Sequence, residues 1–162
     1  MNRAQRKRPK APHTHVVSAC LAGLNCTYKG KNKLDPSVRL LVEWGGAIPV
    51  CPEVLGGLPI PRENSEISGG DGSDVLAGRA KVMTPSGRDV TRHYKEGSRA
   101  ILSLAKRLGI KKAVLKANSP ACGYGRIYDG SFKRALKKGD GVLAALLRRH
   151  GIKISTEKGK RP

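Results

Sequence analysis

The sequence predicts an α/β fold, a single layered domain on a mostly parallel sheet, from three observations. Short apolar strands alternate with helical segments along the chain. A length of 162 residues suits one hydrophobic core. Cysteines sit just past the ends of three of the strands, and in open parallel sheets sites gather at carboxyl ends.

The elements follow in order. The run His15–Ala19 reads as the first strand, leading into a glycine-rich loop. "DPSVRLLVEWGG" reads as a short helix that Asp35 or Ser37 caps and Gly45 stops. Ala47–Cys51 is a second apolar strand. Pro52 to Leu76 is rich in Gly, Pro, Ser and Asp, and a long irregular stretch in a small domain is usually functional. "GRAKVMTPSGRDVT" predicts a hairpin turning at Pro85–Gly87. Tyr94, Gly97, Ile101, Leu104, Ala105 and Leu108 recur at helical spacing, so a longer helix runs from a Thr91 cap to Gly109. Lys111–Ser119 is the next strand, followed by a glycine-rich segment. Asp140 begins a last helix, whose Arg148, Arg149 and His150 complement its carboxyl-end dipole. "IKIST" closes the chain as a strand.

Aromatic residues are scarce, so the core is expected from Val, Ile, Leu and Ala. No stretch approaches the roughly 20 apolar residues that span a bilayer. No apolar signal segment follows the basic start, so a cytoplasmic protein without membrane contact is expected. The net charge is +20, and Arg3, Arg6, Lys7, Arg8 and Lys10 supply five of those charges without an intervening acid. That pattern predicts a disordered basic tail over residues 1–14, with a second basic tail over 158–162. The excess charge serves either solubility or attraction of phosphates on a nucleotide or nucleic acid.

The four cysteines are Cys20, Cys26, Cys51 and Cys122. A reducing compartment and a chain of this size argue against a disulfide framework. Structural zinc sites carry a close pair of ligands, whereas the tightest spacing here is C-x5-C. Inert burial fits poorly with four cysteines that each lie near a strand end beside glycine or proline. An iron–sulfur cluster fits the chemistry better, because thiolates hold such clusters and Cys51 is followed by Pro52. Spacing alone leaves the choice open.

The motifs "VSACLAGLNCTYKG", "PVCPEVLGGLPIPR", "SGRDVT", "LKANSPACGYGRIYDGSF" and "GDGVLAALLRRHGI" together resemble the DUF523 family, whose characterised members are thiouracil desulfidases. The similarity runs from about Val16 to Ile154, within a domain expected over 15–157. The resemblance implies a Rossmann-like domain carrying a [4Fe-4S] cluster on Cys20, Cys51 and Cys122. One iron would stay open to the sulfur of a thiolated pyrimidine. Glu53 and Ser119 match the polar residues expected beside it, and Cys26 matches a family position without being a ligand. The chain departs from the family where Thr27 and Lys29 replace an arginine and an aspartate, and where "PRENSEI" departs from a more usual "PRPPAEI" while keeping Arg62, Glu66 and Ile67.

The implied reaction replaces C=S by C=O without net redox and releases hydrosulfide. Glu53 would be the general base on water, and Ser119 a hydrogen-bond donor to the ring or developing anion. Lys29, Lys31, Lys33 and Arg62 are candidates for a substrate phosphate, or else form a solvated cationic rim. Tyr28, Tyr124 and Tyr128 are candidates for stacking on the pyrimidine. His15, His93 and His150 read as ordinary surface or helix-end residues. Two other readings remain: an RNA-associated protein that acts on or binds thiolated tRNA, and a binding or sensor module with a regulatory cluster.

Overall fold

The computed structural model describes residues 13–159, so most of both expected basic tails, residues 1–12 and 160–162, lies outside it. Four strands form one parallel sheet in the order β2 (Ala47–Val50), β1 (His15–Ser18), β5 (Lys112–Leu115), β8 (Lys153–Thr156). His15 is in register with Ala47 on one side and Lys112 on the other. Consecutive residues of a strand face opposite ways, and β1 shows the consequence. Val16 joins the main core, beneath the long helices, while Val17 joins a smaller cluster beneath the first helix. Both faces are covered, as a parallel sheet requires. The α/β expectation therefore stands.

Helix α1 (Pro36–Glu43) covers the smaller cluster through Val38, with Leu41 and Val42 packed against it. Asp35 is its cap, accepting from the N–H groups of Ser37 and Val38, and Gly45 follows in a left-handed conformation. The stretch Pro52–Leu76 is not structureless. It holds a one-turn helix α2 (Pro52–Leu55), a strand β3 (Glu66–Ser68) and helix α3 (Gly72–Leu76), whose start is closed by reciprocal Asp71 and Asp74 bonds. Strand β4 (Lys81–Met83) pairs antiparallel with β3, and the expected turn follows, with Met83 bridging Asp89.

Helix α4 (Thr91–Arg107) begins one residue earlier than expected. Val90 is its cap, and Thr91 Oγ1 instead accepts the Val82 N–H at 2.9 Å, tying the helix to the hairpin. Leu108, assigned to the buried face, caps the other end and is 45% exposed. A second antiparallel pair joins β6 (Arg126–Tyr128), inside what the sequence reads as a glycine-rich segment, to β7 (Leu136–Lys138), which lies just beyond it. Helix α5 (Val142–Arg149) starts after Gly141, not at Asp140. The Asp140 carboxylate accepts from the Gly125 N–H at 2.8 Å and lies 3.3 Å from Arg148 Nε.

Helices α2 and α4 meet backbone to backbone. A Cβ on Gly97 would lie 1.8 Å from the Pro52 carbonyl oxygen, and one on Gly56 would lie 1.9 Å from that of His93. His93 Nδ1 adds a 2.7 Å hydrogen bond to the Gly56 carbonyl across the same seam. Gly97→Ala is expected to destabilise the fold by about 1–3 kcal/mol through overpacking, despite alanine's better helix propensity. A urea midpoint that falls at constant slope checks it; an unchanged midpoint refutes the close approach.

Candidate functional site

A cavity of about 560 Å³ opens at the carboxyl ends of β1, β2 and β5, and all four cysteines line it. Three of them arrive by different local devices. Cys20 lies in the 3-10 turn Ala19–Ala22 that ends β1, with the Lys33 N–H on its carbonyl at 2.9 Å. Cys51 ends β2 and is the cap residue of α2. Cys122 sits in a loop that serves the start of α5. The N–H groups of Gly141, Val142 and Leu143, which have no partner inside the helix, donate to the carbonyls of Gly123, Pro120 and Ala121 at 2.7, 2.9 and 2.8 Å. Ser119 Oγ fixes the same loop by accepting the N–H groups of Ala121 and Cys122.

The thiols communicate. Contact with the Cys20 thiol, the largest cause, pushes Cys26 up to about 11, with Cys51 pulling the other way. Cys51 is raised further, first by Cys26 and then by burial. Burial pushes Cys122 up to about 12, against the hydroxyl of Ser18 and with the nearby Cys51 and Glu53 adding to the rise. Cys51 and Cys122 are therefore thiols in the protein alone, and metal loading must displace their protons. Among the described residues, no three His, Cys, Asp or Glu side chains converge closely enough for one metal ion. Thiols brought to one cavity from separate segments of the chain, with no close C-x2-4-C pair, suit an iron–sulfur group better than structural zinc.

Glu53 rides on the first turn of α2 and faces the same cavity. Arg62 Nε donates to its Oε2 at 2.6 Å, in a pair whose side chains are only 6% and 17% exposed. The other guanidinium nitrogens donate to the carbonyls of Pro59 and Cys26 at 3.1 and 2.9 Å. Arg62 is thus committed to clamping Glu53 and the Cys26 loop, rather than standing as a rim cation for phosphate. Tyr94 completes this corner. Its buried hydroxyl lies 2.6 Å from Ser65 Oγ, and burial, then the charge of Glu53, raises its pKa well above the usual phenol range.

The cavity brings together Glu53, Ser119, Tyr28, Tyr128, Lys29, Lys31, Lys33 and Arg62 from the sequence-predicted set. Tyr124 is not among the lining residues: it lies in the turn before β6, whereas Tyr128 on the strand reaches the wall. Ser18, Glu66, Tyr94, Lys116, Phe132 and Arg134 also line the cavity and escaped sequence reasoning. Tyr94 did carry a signal, but its helical spacing pointed only to core. Lys116 is held by Glu157 at 2.5 Å, whereas Lys29, Lys31, Lys33, Arg134 and Lys158 form no ion pair among the described residues.

The chain matches the model of the 2-thiouracil desulfurase family over residues 16–159. It is 46% identical over 142 residues to the uncharacterized protein YbbK of Bacillus subtilis, covering 88% of this chain and 94% of that one. It is also similar to the solved structure of TudS (DUF523Vcz), a [4Fe-4S]-dependent thiouracil desulfidase. The TM-score is 0.80 and the identity 40%, over 90% of this chain and 91% of the other. With the fold, the edge-gathered cysteines and these matches in agreement, the chain belongs to the 2-thiouracil desulfurase family.

Proposed function

We propose that this protein is a [4Fe-4S]-dependent desulfidase that replaces C=S by C=O in thiouracil or a thiouridine nucleotide and releases hydrosulfide. The observation that carries this reading is the convergence of Cys20, Cys51 and Cys122 on one cavity with the buried Glu53–Arg62 pair. Cys20, Cys51 and Cys122 would hold the cluster, which would supply a soft Lewis acid suited to thiocarbonyl sulfur.

The protein groups do the rest. Arg62 fixes the Glu53 carboxylate through Oε2, so the base has one orientation in which to take a proton from water and return it. The Tyr94 hydroxyl beside it stays protonated and is steered by Ser65. Ser119 uses its lone pairs on two backbone N–H groups, which leaves its hydroxyl proton for an acceptor within the cavity. The unpaired cations at the wall favour an anionic substrate, which ranks a nucleotide above the free base.

That same rim supports a second reading, in which thiolated tRNA is bound or acted on. It differs in its salt dependence, since several phosphate contacts make affinity fall steeply with ionic strength. The test is anaerobic purification with iron and sulfide analysis, then loss of thiocarbonyl absorbance with 4-thiouracil and 4-thiouridine monophosphate. Turnover by cluster-loaded protein is expected, faster for the nucleotide. Cluster-loaded protein without turnover on either compound overturns the proposal.

A further inference from the structure

We propose that Phe132 is the platform on which the pyrimidine ring of the substrate stacks, and that the buried Glu66 carboxylate positions it by bracing its loop. Phe132 is the single phenylalanine of the chain, lies half-buried and lines the cavity shared with the cysteines, Glu53 and Ser119. Its ring has no polar atom with which to anchor itself, so what it offers the cavity is an apolar face.

The backbone beneath it is in an unfavourable state. Phe132 has a φ of 59°, in the left-handed region that a bulky side chain rarely enters. Such a conformation persists only where its surroundings enforce it. Glu66, 5% exposed on β3, does so: its Oε2 accepts the N–H groups of Gly130 and Phe132 at 2.8 and 3.0 Å. Gly130 makes the approach to β3 possible, since a Cβ there would meet the Ile67 carbonyl oxygen at 2.7 Å. The Asp129 N–H closes the loop on the Ala135 carbonyl at 3.0 Å, and Lys137 Nζ reaches Ile67 O at 3.2 Å.

A strained aromatic residue held over a reactive cavity by a buried carboxylate is a preorganised stacking surface. Tyr28 is the poorer candidate. It is 41% exposed, and the Lys29 ammonium sits 5.7 Å from its ring centroid.

This inference rests on the reading of the cavity as a thiopyrimidine site, and the experiment separates the two. Cluster-loaded protein is assayed anaerobically for turnover of 4-thiouridine monophosphate and for equilibrium binding of uridine monophosphate, which carries no reactive sulfur. Phe132→Leu is expected to weaken uridine monophosphate binding and raise KM on the order of 10–100-fold, the range of a lost base–aromatic stack, with kcat and iron content near wild type. Phe132→Tyr and Phe132→Trp should restore affinity. Glu66→Ala should share the loss non-additively with Phe132→Leu. With the exposed Trp44 replaced by phenylalanine, a Phe132→Trp protein should report ligand by fluorescence quenching. Wild-type affinity in Phe132→Leu, or loss in Tyr28→Ala alone, overturns the assignment of Phe132 while leaving the cavity's reading intact. A wild-type protein that neither binds the nucleotide nor turns it over overturns both.

Discussion

Glu53→Gln is expected to lower kcat by roughly 10²–10⁴-fold, the range for losing a positioned general base, while iron and sulfide content stay at wild-type levels. Glutamine preserves the shape of the side chain and can still accept from Arg62 Nε, so the loop geometry should survive. What is removed is the negative charge, and with it the capacity to take a proton from water. Arg62 would then keep its cation 6% exposed with no anion beside it. Breaking a buried pair from one side costs about 3–5 kcal/mol, so the variant should also melt early. Activity is therefore compared well below the transition, with cluster content as the control. Wild-type turnover in Glu53→Gln at full cluster loading would remove the base role from this residue.

Single replacement of Cys20, Cys51 or Cys122 by alanine is expected to abolish stable cluster binding and all desulfidation. Cys26→Ala is expected to retain iron and sulfide. The physical distinction lies in where each thiol comes from. Cys20 and Cys51 directly follow β1 and β2, and Cys122 sits in the loop fastened to the start of α5, whereas Cys26 sits in the loop that Arg62 clamps by its carbonyl. That carbonyl bond does not involve the thiol, so the loop should hold without it. Visible absorbance and iron analysis after anaerobic reconstitution check the set. Retention of a full cluster by any one of the three alanine variants, or its loss in Cys26→Ala, would redraw the ligand set.

What was legible in the sequence was what local patterns encode. β1, β2 and β5 are short apolar runs, and the cysteines past their ends mark one sheet edge without any knowledge of packing. The Asp35 cap and the Pro85–Gly87 turn are likewise written in consecutive residues. Arg62 shows what was not legible. A charged residue in a loop reads as exposed, and only the fold reveals that it has three internal acceptors. Tyr94 fell to the opposite error, since helical periodicity announces burial but not what a hydroxyl meets at the buried end. The one-turn α2 and three-residue β3 are too short to show a period at all. Phe132 was hidden because its backbone conformation depends on Glu66, far away in sequence.

A helix of four residues has no stability of its own, because one turn does not offset the entropy of nucleating it. α2 therefore borrows its position from α4, through the contact of Gly97 with the Pro52 carbonyl. Pro52 stands between the thiol at 51 and the carboxylate at 53, so the proposed cluster ligand and the proposed base share one hinge point. The placement of both groups against α4 is set by the thickness of a glycine. A methyl group at position 97 would act as a shim: it would tilt both groups together and detune cluster retention and turnover in step, from a residue that touches neither.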